Sequence, residues 1–140
     1  MPVVSACMAK TIFVNRYFSP DHSATSQLLS DLAFDLASRG QDIHVITGGQ
    51  LYTDPRASLL SEEVICGVHV HRVRTSRFGR ARLWGRTLDY LTFYFGATWR
   101  LLCSIQPGDV VVAKTDPPLM SVCAAWAARL RKGILINWVQ

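Results

Sequence analysis

The chain has 140 residues, which is the length of a single domain. Hydrophobic residues make up 49% of it and charged residues 18%, so we expect a packed core rather than intrinsic disorder. Lys and Arg exceed Asp and Glu by 15 to 10, a net charge of +5 at pH 7. This charge alone does not choose between phosphates, nucleic acids and anionic membranes as partners.

The four cysteines, Cys7, Cys66, Cys103 and Cys123, are scattered along the chain. None are paired at CxxC spacing and no histidine lies at ligand spacing from them, so we expect neither a zinc site nor a disulfide framework. We interpret them as small buried hydrophobic residues and predict a cytoplasmic location. No segment reaches the ~20 apolar residues that cross a bilayer. Residues 1–9 are predicted to be a tail.

Changes in hydrophobic periodicity predict the element order β-α-β-β-α-β-α-β. The predicted strands are 10–15, 42–47, 64–73 (a hairpin or bulged strand around Gly67), 109–114 and 134–139, and the predicted helices are 24–39, 83–105 and 119–132. Gly40 after Arg39 ends the first helix, because glycine accepts the left-handed conformation. The order predicts an α/β fold, a Rossmann-like open and mostly parallel sheet with helices on both faces. No helix follows the last strand, so we expect residues 10–140 to be incomplete at the C-terminal end.

Ligands of such sheets bind at the carboxyl ends of the strands, which directs attention to residues 16–27, 115–121 and those after Trp138. The hydroxyls of Ser19, Ser23, Thr25 and Ser26 either bind an anion at a helix N-terminus or only cap the helix. No Gly-x-Gly-x-x-Gly or P-loop pattern occurs, so we predict no nicotinamide cofactor and no ATP hydrolysis.

Asp116 stands between a buried strand and two prolines that stiffen the backbone. It either binds a sugar hydroxyl or acts as a base, or it is a turn or capping carboxylate. His22 could hydrogen-bond a ligand from the first loop. His44 is interpreted as structural, and His69 and His71 share a strand face with no third ligand near them in sequence, so no metal site is predicted.

Six arginines form a basic segment: Arg72, Arg74, Arg77, Arg80, Arg82 and Arg86. An aromatic-rich predicted helix follows. The segment either docks on an anionic membrane surface or is a solvated loop leading into a core helix. Asp89 and Arg100 argue against burial of that helix on every side.

The sequence as a whole resembles family-4 glycosyltransferases of the GT-B fold, most closely bacterial members that build surface polysaccharides such as O-antigen and capsule. The resemblance rests on an ordered set of segments: 11–21 (TIFVNRYFSPD), 36–40 (LASRG), 43–47 (IHVIT), 67–73 (GVHVHRV), 109–118 (DVVVAKTDPP) and 137–140 (NWVQ). It covers essentially the whole chain from Lys10 onward.

The resemblance implies an N-terminal, acceptor-side domain, with a C-terminal donor-binding domain absent from the chain. The complete enzyme would transfer a sugar from a nucleotide-sugar donor to a glycan or lipid-linked acceptor, without a metal and without nucleic acid, at the inner face of the cytoplasmic membrane. The isolated chain is expected to be inactive. Besides Asp116 as the candidate catalytic residue, the implied cleft residues are Pro20, His22, Ser23, Ala24, Thr25, Gln27, Pro117, Pro118 and Gln140. Ala24 and Thr25 stand where many relatives have two glycines, which weakens a backbone-only phosphate contact there.

Two other functions remain open from the sequence. The chain could be a non-catalytic interaction subunit that pairs with a separate donor domain or a membrane partner. It could also be a free-standing nucleotide-binding module, although it lacks the glycine fingerprints.

Overall fold

A computed structural model of the chain describes residues 9–16, 18, 24–48, 61–73, 83–114 and 120–138. The strands are β1 (Thr11–Val14), β2 (Ile43–Gly48), β3 (Glu62–Ile65), β4 (Val68–Val73), β5 (Val110–Lys114) and β6 (Ile134–Trp138). The helices are α1 (Ala24–Ser38), α2 (Leu83–Ser104) and α3 (Met120–Arg131). Each predicted element is present, with ends that differ by a few residues at most.

The strands form a six-stranded sheet in the order β3-β4-β2-β1-β5-β6. All neighbours are parallel except β3 and β4, which are antiparallel. The hairpin alternative for residues 64–73 is therefore the one observed. Its turn, Cys66-Gly67, has positive φ at both residues, 50° and 84°, as a two-residue type I′ turn requires. The predicted α/β, Rossmann-like fold class is confirmed.

The helices cover the two faces of the sheet. On one face, α1 contributes Leu29 and Ala33 to a buried cluster with side chains of β1, β2 and β4. On the other face, α2 and α3 pack together over β1, β2 and β5, through residues such as Phe93 and Ala124. Successive residues of a strand point to opposite faces of the sheet, so neighbouring residues in a strand belong to different clusters.

Helix α2 is apolar on both sides. Phe93, Ala97 and Leu101 are fully buried against the sheet. The opposite side carries a row of exposed apolar residues at helical spacing, here called the α2 stripe: Trp84, Leu88, Leu91, Phe95 and Trp99. The helix is thus not buried on every side, but Asp89 does not mark the exposed side as expected. Asp89 is only 4% exposed and lies on the buried side of the helix with Phe93.

The interpretation of the cysteines as buried is wrong for two of them. Cys66 and Cys103 are exposed, while Cys123 is partly buried, and all three are free thiols. Cys66 is exposed because it occupies the tip of the β3–β4 turn. In the part of the chain that the structure describes, no helix is long and apolar enough to cross a membrane.

Candidate functional site

The side of the sheet to which the chain adds strands changes between β1 and β5, which are parallel neighbours. From β1 the chain moves to β2 and β4 on one side, and it returns to β5 and β6 on the other. The connections that follow β1 and β5 therefore lead to opposite edges of the sheet. Open α/β sheets bind ligands in the crevice between the carboxyl ends of two such strands. The residues that end these strands are the first candidates for a binding site.

A row of side chains crosses the carboxyl end of the sheet on the α1 face. Lys114 of β5 pairs in register with Trp138 of β6, and Asn15 follows the register pair of Val14 with Ala113. We call Thr47, Asn15, Lys114 and Trp138 the switch-point row. Thr47, Asn15 and Lys114 are fully buried, which is unusual for polar residues at the end of a sheet.

Lys114 is the central charge of the switch-point row. Its Nζ lies 3.9 Å from the centre of the Trp138 ring, in the geometry of a cation–π contact. The preceding residues of β5, Val111 to Ala113, are apolar and buried, so the lysine stem continues a hydrophobic strand and its amine reaches the strand end. An ammonium group held there can act as a point charge for an anionic group such as a phosphate.

The backbone of Arg16 fixes the end of β1 against β2. Its carbonyl oxygen accepts a hydrogen bond from Thr47 Oγ1 at 3.0 Å and another from the Gly48 N–H at 3.0 Å. A Cβ at Gly48 would lie 3.1 Å from the same oxygen, so glycine permits this close approach. The Arg16 guanidinium lies 4.6 Å from the centre of the Tyr90 ring of α2. The site is therefore held by sheet and helix rather than by a loop alone.

Most of the site residues predicted from the sequence lie outside the described residues. These are Pro20, His22, Ser23, Asp116, Pro117, Pro118, Gln140, Arg74, Arg77, Arg80 and Arg82. Ala24 and Gln27 are exposed in the first turn of α1, and the backbone of Thr25 and Arg86 belongs to α1 and α2.

Arg72 does not belong to an exposed basic surface. Its side chain is 2% exposed, and its Nη1 donates a hydrogen bond to Glu63 Oε1 at 2.7 Å. It lies in β4 on the same buried face as Val68 and Val70. The carboxylate of Glu63 therefore neutralises its charge within the protein. The proposed basic segment accordingly begins after Arg72.

A second polar cluster lies on the α2 face, toward the amino ends of β2 and β4. The rings of His69 and His71 both stack on His44, with centres 4.7 Å and 5.3 Å away. We call these three residues the histidine cluster. Burial lowers the pKa of His44 and of His71, and the neighbouring positive charge of Arg100 lowers that of His71 further, so the neutral form of both rings predominates at pH 7.

Hydrogen bonds connect the histidine cluster to charged residues at both ends. His44 Nε2 is 3.0 Å from Asp42 Oδ1, and His44 Nδ1 is 3.0 Å from His71 Nε2. Arg100 donates to both Glu62 Oε1 and His71 Nδ1, the latter at 2.8 Å. The hydrogen bond from Arg100, the largest cause, lowers the pKa of Glu62.

Sequence reasoning missed both groups, for different reasons. The carboxyl-end loops were identified, but Lys114 was treated only as the end of a strand, although a lysine closing a run of buried valines was a usable signal. For the histidines, the third partner comes from a neighbouring strand, where His44 lies opposite His69. Spacing along the chain does not reveal such a neighbour.

No family model matches this sequence, and no curated protein matches it significantly.

Proposed function

We propose that the chain is the acceptor-side domain of a sugar-nucleotide-dependent glycosyltransferase whose acceptor is a lipid-linked diphosphate sugar. The observation that carries this proposal is the buried Lys114 ammonium at the switch point, flanked by the Trp138 ring. A cation beside an aromatic face suits an acceptor that combines a diphosphate with a sugar ring. The ordered sequence resemblance supports the same class of enzyme.

The position of Lys114 at the carboxyl end of β5, where open α/β sheets bind ligands, supports a role in binding. The amine stands at the end of β5, immediately before the residues that the resemblance assigns to the acceptor. Asp116 remains the proposed catalytic candidate, with Pro117 and Pro118 positioning it.

The α2 stripe supports a lipid-linked acceptor. Trp84, Phe95 and Trp99 are 82%, 77% and 70% exposed, and aromatic residues of this kind lie favourably at a membrane interface. The arginines from Arg74 to Arg86 directly precede or begin this helix in the sequence. An apolar helix face next to a basic segment matches an anionic membrane surface, where such an acceptor is found.

The first experiment measures binding of farnesyl diphosphate, a soluble lipid diphosphate, by calorimetry. We expect Lys114→Met to weaken binding about 10-fold or more, because one charge-assisted hydrogen bond contributes about 1.5–3 kcal/mol. Lys132→Met is the matched control: Lys132 is exposed beyond the end of α3, so its loss should leave binding unchanged. Thermal melting of both variants separates a binding defect from unfolding.

Two results would count against the proposal. If both lysine variants bind farnesyl diphosphate like the unmodified chain, Lys114 has no part in anion binding. If UDP-glucose binds tightly while farnesyl diphosphate does not, the chain is a nucleotide-binding module instead. We also expect no turnover of UDP-sugars by the isolated chain, and robust turnover would contradict the acceptor-side assignment.

The second candidate function is a non-catalytic interaction subunit. It is favoured by apolar residues on α3 and β6: Val122, Trp126, Leu130, Ile134 and Ile136 are all at least half exposed. The residues of α3 and those of β6 lie on opposite sides of the sheet, and exposed apolar patches of this kind are often covered by another protein. Copurification of a separately encoded donor domain, lost in Trp126→Glu, would support this candidate over the first.

A further inference from the structure

We propose that Asp42, His44 and His69 form a binding site for a divalent transition-metal ion, with Zn²⁺ as its representative. Each residue offers one ligand atom, and the three atoms lie within 4.8 Å of one another. Ligand atoms of a tetrahedral zinc ion, at bond lengths of about 2.0–2.1 Å, are about 3.4 Å apart. Because ring nitrogens bind a metal in the plane of the ring and the rings of His44 and His69 are stacked, one of the two rings must turn to bring all three ligands onto one ion.

The backbone holds these ligands close together. Asp42 precedes β2 and is two residues from His44, so both can lie on the same side of the chain. His69 is the register partner of His44 on the parallel strand β4. Their rings are stacked, with an interplanar angle of 16°. Ligands carried by paired strands are positioned more accurately than ligands on loops.

Binding of the ion requires a change of tautomer along the pair His44 and His71, because Arg100 donates to His71 Nδ1 in the structure. Nε2 of His44 is the nitrogen on the side of Asp42, at 3.0 Å from Oδ1, so it is the nitrogen that would bind the ion. The Nδ1–H of the bound ring would then donate to His71 Nε2, which lies 3.0 Å away. The His71 Nδ1–H would in turn donate to Glu62 Oε1, at 3.4 Å, and Arg100, which donates to that nitrogen in the structure, would then keep only its bond to Glu62. Metal-binding histidines usually have such a partner for the second ring nitrogen.

The ligand set selects the kind of ion. Two imidazoles and one carboxylate suit Zn²⁺, Co²⁺ or Ni²⁺, whereas Mg²⁺ and Ca²⁺ prefer sites made of oxygen atoms. Asp42 and His69 are exposed and His44 is partly buried, so an ion can reach the site from solvent. Three protein ligands leave a coordination position for water or for a group from a partner.

The test is calorimetric titration of the full chain, stripped with EDTA, with ZnCl₂ and in parallel with MgCl₂. We expect one Zn²⁺ per chain at micromolar affinity and no Mg²⁺ binding. His69→Ala and Asp42→Asn should each weaken Zn²⁺ binding at least about 10-fold. Asp35→Asn is the matched control for Asp42→Asn, because Asp35 is an exposed carboxylate of α1, the helix on the other face of the sheet, and its loss should change nothing.

Spectroscopy identifies the ligands independently of affinity. In ¹⁵N NMR of the histidine rings, Zn²⁺ should shift Nε2 of His44 and a ring nitrogen of His69. Cys66, a free thiol in the turn before β4, is the competing ligand that the spectrum must exclude. Bound Co²⁺ should lack the charge-transfer band of cysteine ligation. A thiolate band, or undiminished binding by folded His69→Ala, would overturn the proposal. No outcome depends on the glycosyltransferase assignment.

Discussion

Two phenylalanines on α2 allow a direct test of the two-sided character of this helix. Phe93 is fully buried between the helix and the sheet, whereas Phe95, two residues later, is 77% exposed. Replacing either with alanine removes the same atoms from opposite environments. Phe93→Ala should cost about 3–5 kcal/mol, because it deletes a buried ring and leaves a cavity. Phe95→Ala should change stability by no more than about 0.5 kcal/mol.

These energies predict separate melting temperatures. The unfolding entropy of about 2.1 cal/mol/K per residue amounts to about 0.3 kcal/mol/K for 140 residues. Phe93→Ala should therefore lower the melting temperature by about 10–17 °C, and Phe95→Ala by less than about 2 °C. Far-UV circular dichroism during heating measures both. If the two variants melt together, the assignment of the buried side of α2 is wrong.

Membrane binding should depend on the same two residues in the opposite way. Inserting an exposed phenylalanine into a lipid interface gains about 1–2 kcal/mol, so Phe95→Ala should weaken binding to anionic vesicles about 5- to 30-fold. Phe93→Ala, measured below its own melting temperature, should bind vesicles like the unmodified chain. Vesicle flotation gives both values. Undiminished binding by Phe95→Ala would refute a role for the α2 stripe at membranes.

Two further substitutions test details of the fold. The carboxylate of Asp109 pairs with Lys10 Nζ at 3.1 Å and accepts two backbone N–H bonds, so Asp109→Ala should cost about 3 kcal/mol in chemical denaturation. Asp35→Ala, which breaks an exposed ion pair of 3.0 Å, should cost less than about 0.5 kcal/mol, and equal costs would contradict the difference in burial. Cys66→Asn should raise stability by about 0.5–1 kcal/mol, because asparagine tolerates the left-handed conformation of the turn better than cysteine. Cys103→Asn, at an exposed helical position, should show no such gain in thermal melting.

The sheet could be predicted from the sequence because its signals are local. The run of valines ending at Lys114 indicates a strand buried on both faces, and Gly40 marks the end of α1. Alternation around Gly67 left a hairpin and a bulged strand open, since both place apolar residues on one face. The positive φ of Cys66 decides for the hairpin, and cysteine gives no signal for that conformation.

The site could be predicted only as a region. Strand polarity indicates that ligands bind at the carboxyl ends, and this directs attention to the edge of the sheet at which Asn15 and Lys114 lie. It does not indicate that the Lys114 ammonium lies over the Trp138 ring, because that contact depends on the pairing of β5 with β6. The burial of Arg72 was missed for the same reason: its partner Glu63 belongs to the other strand of the hairpin.

Strand polarity also separates the two sites proposed for this chain. Lys114 ends β5, whereas Asp42 and His44 lie where β2 begins, so the two groups occupy opposite ends of the parallel strands. They also lie on different faces, since the switch-point row faces α1 and the histidine cluster faces α2. A metal ion at the histidine cluster therefore cannot contact an acceptor held by Lys114. Any effect of Zn²⁺ on lipid-diphosphate binding would have to pass through the sheet, and the simplest expectation is that the two ligands bind independently.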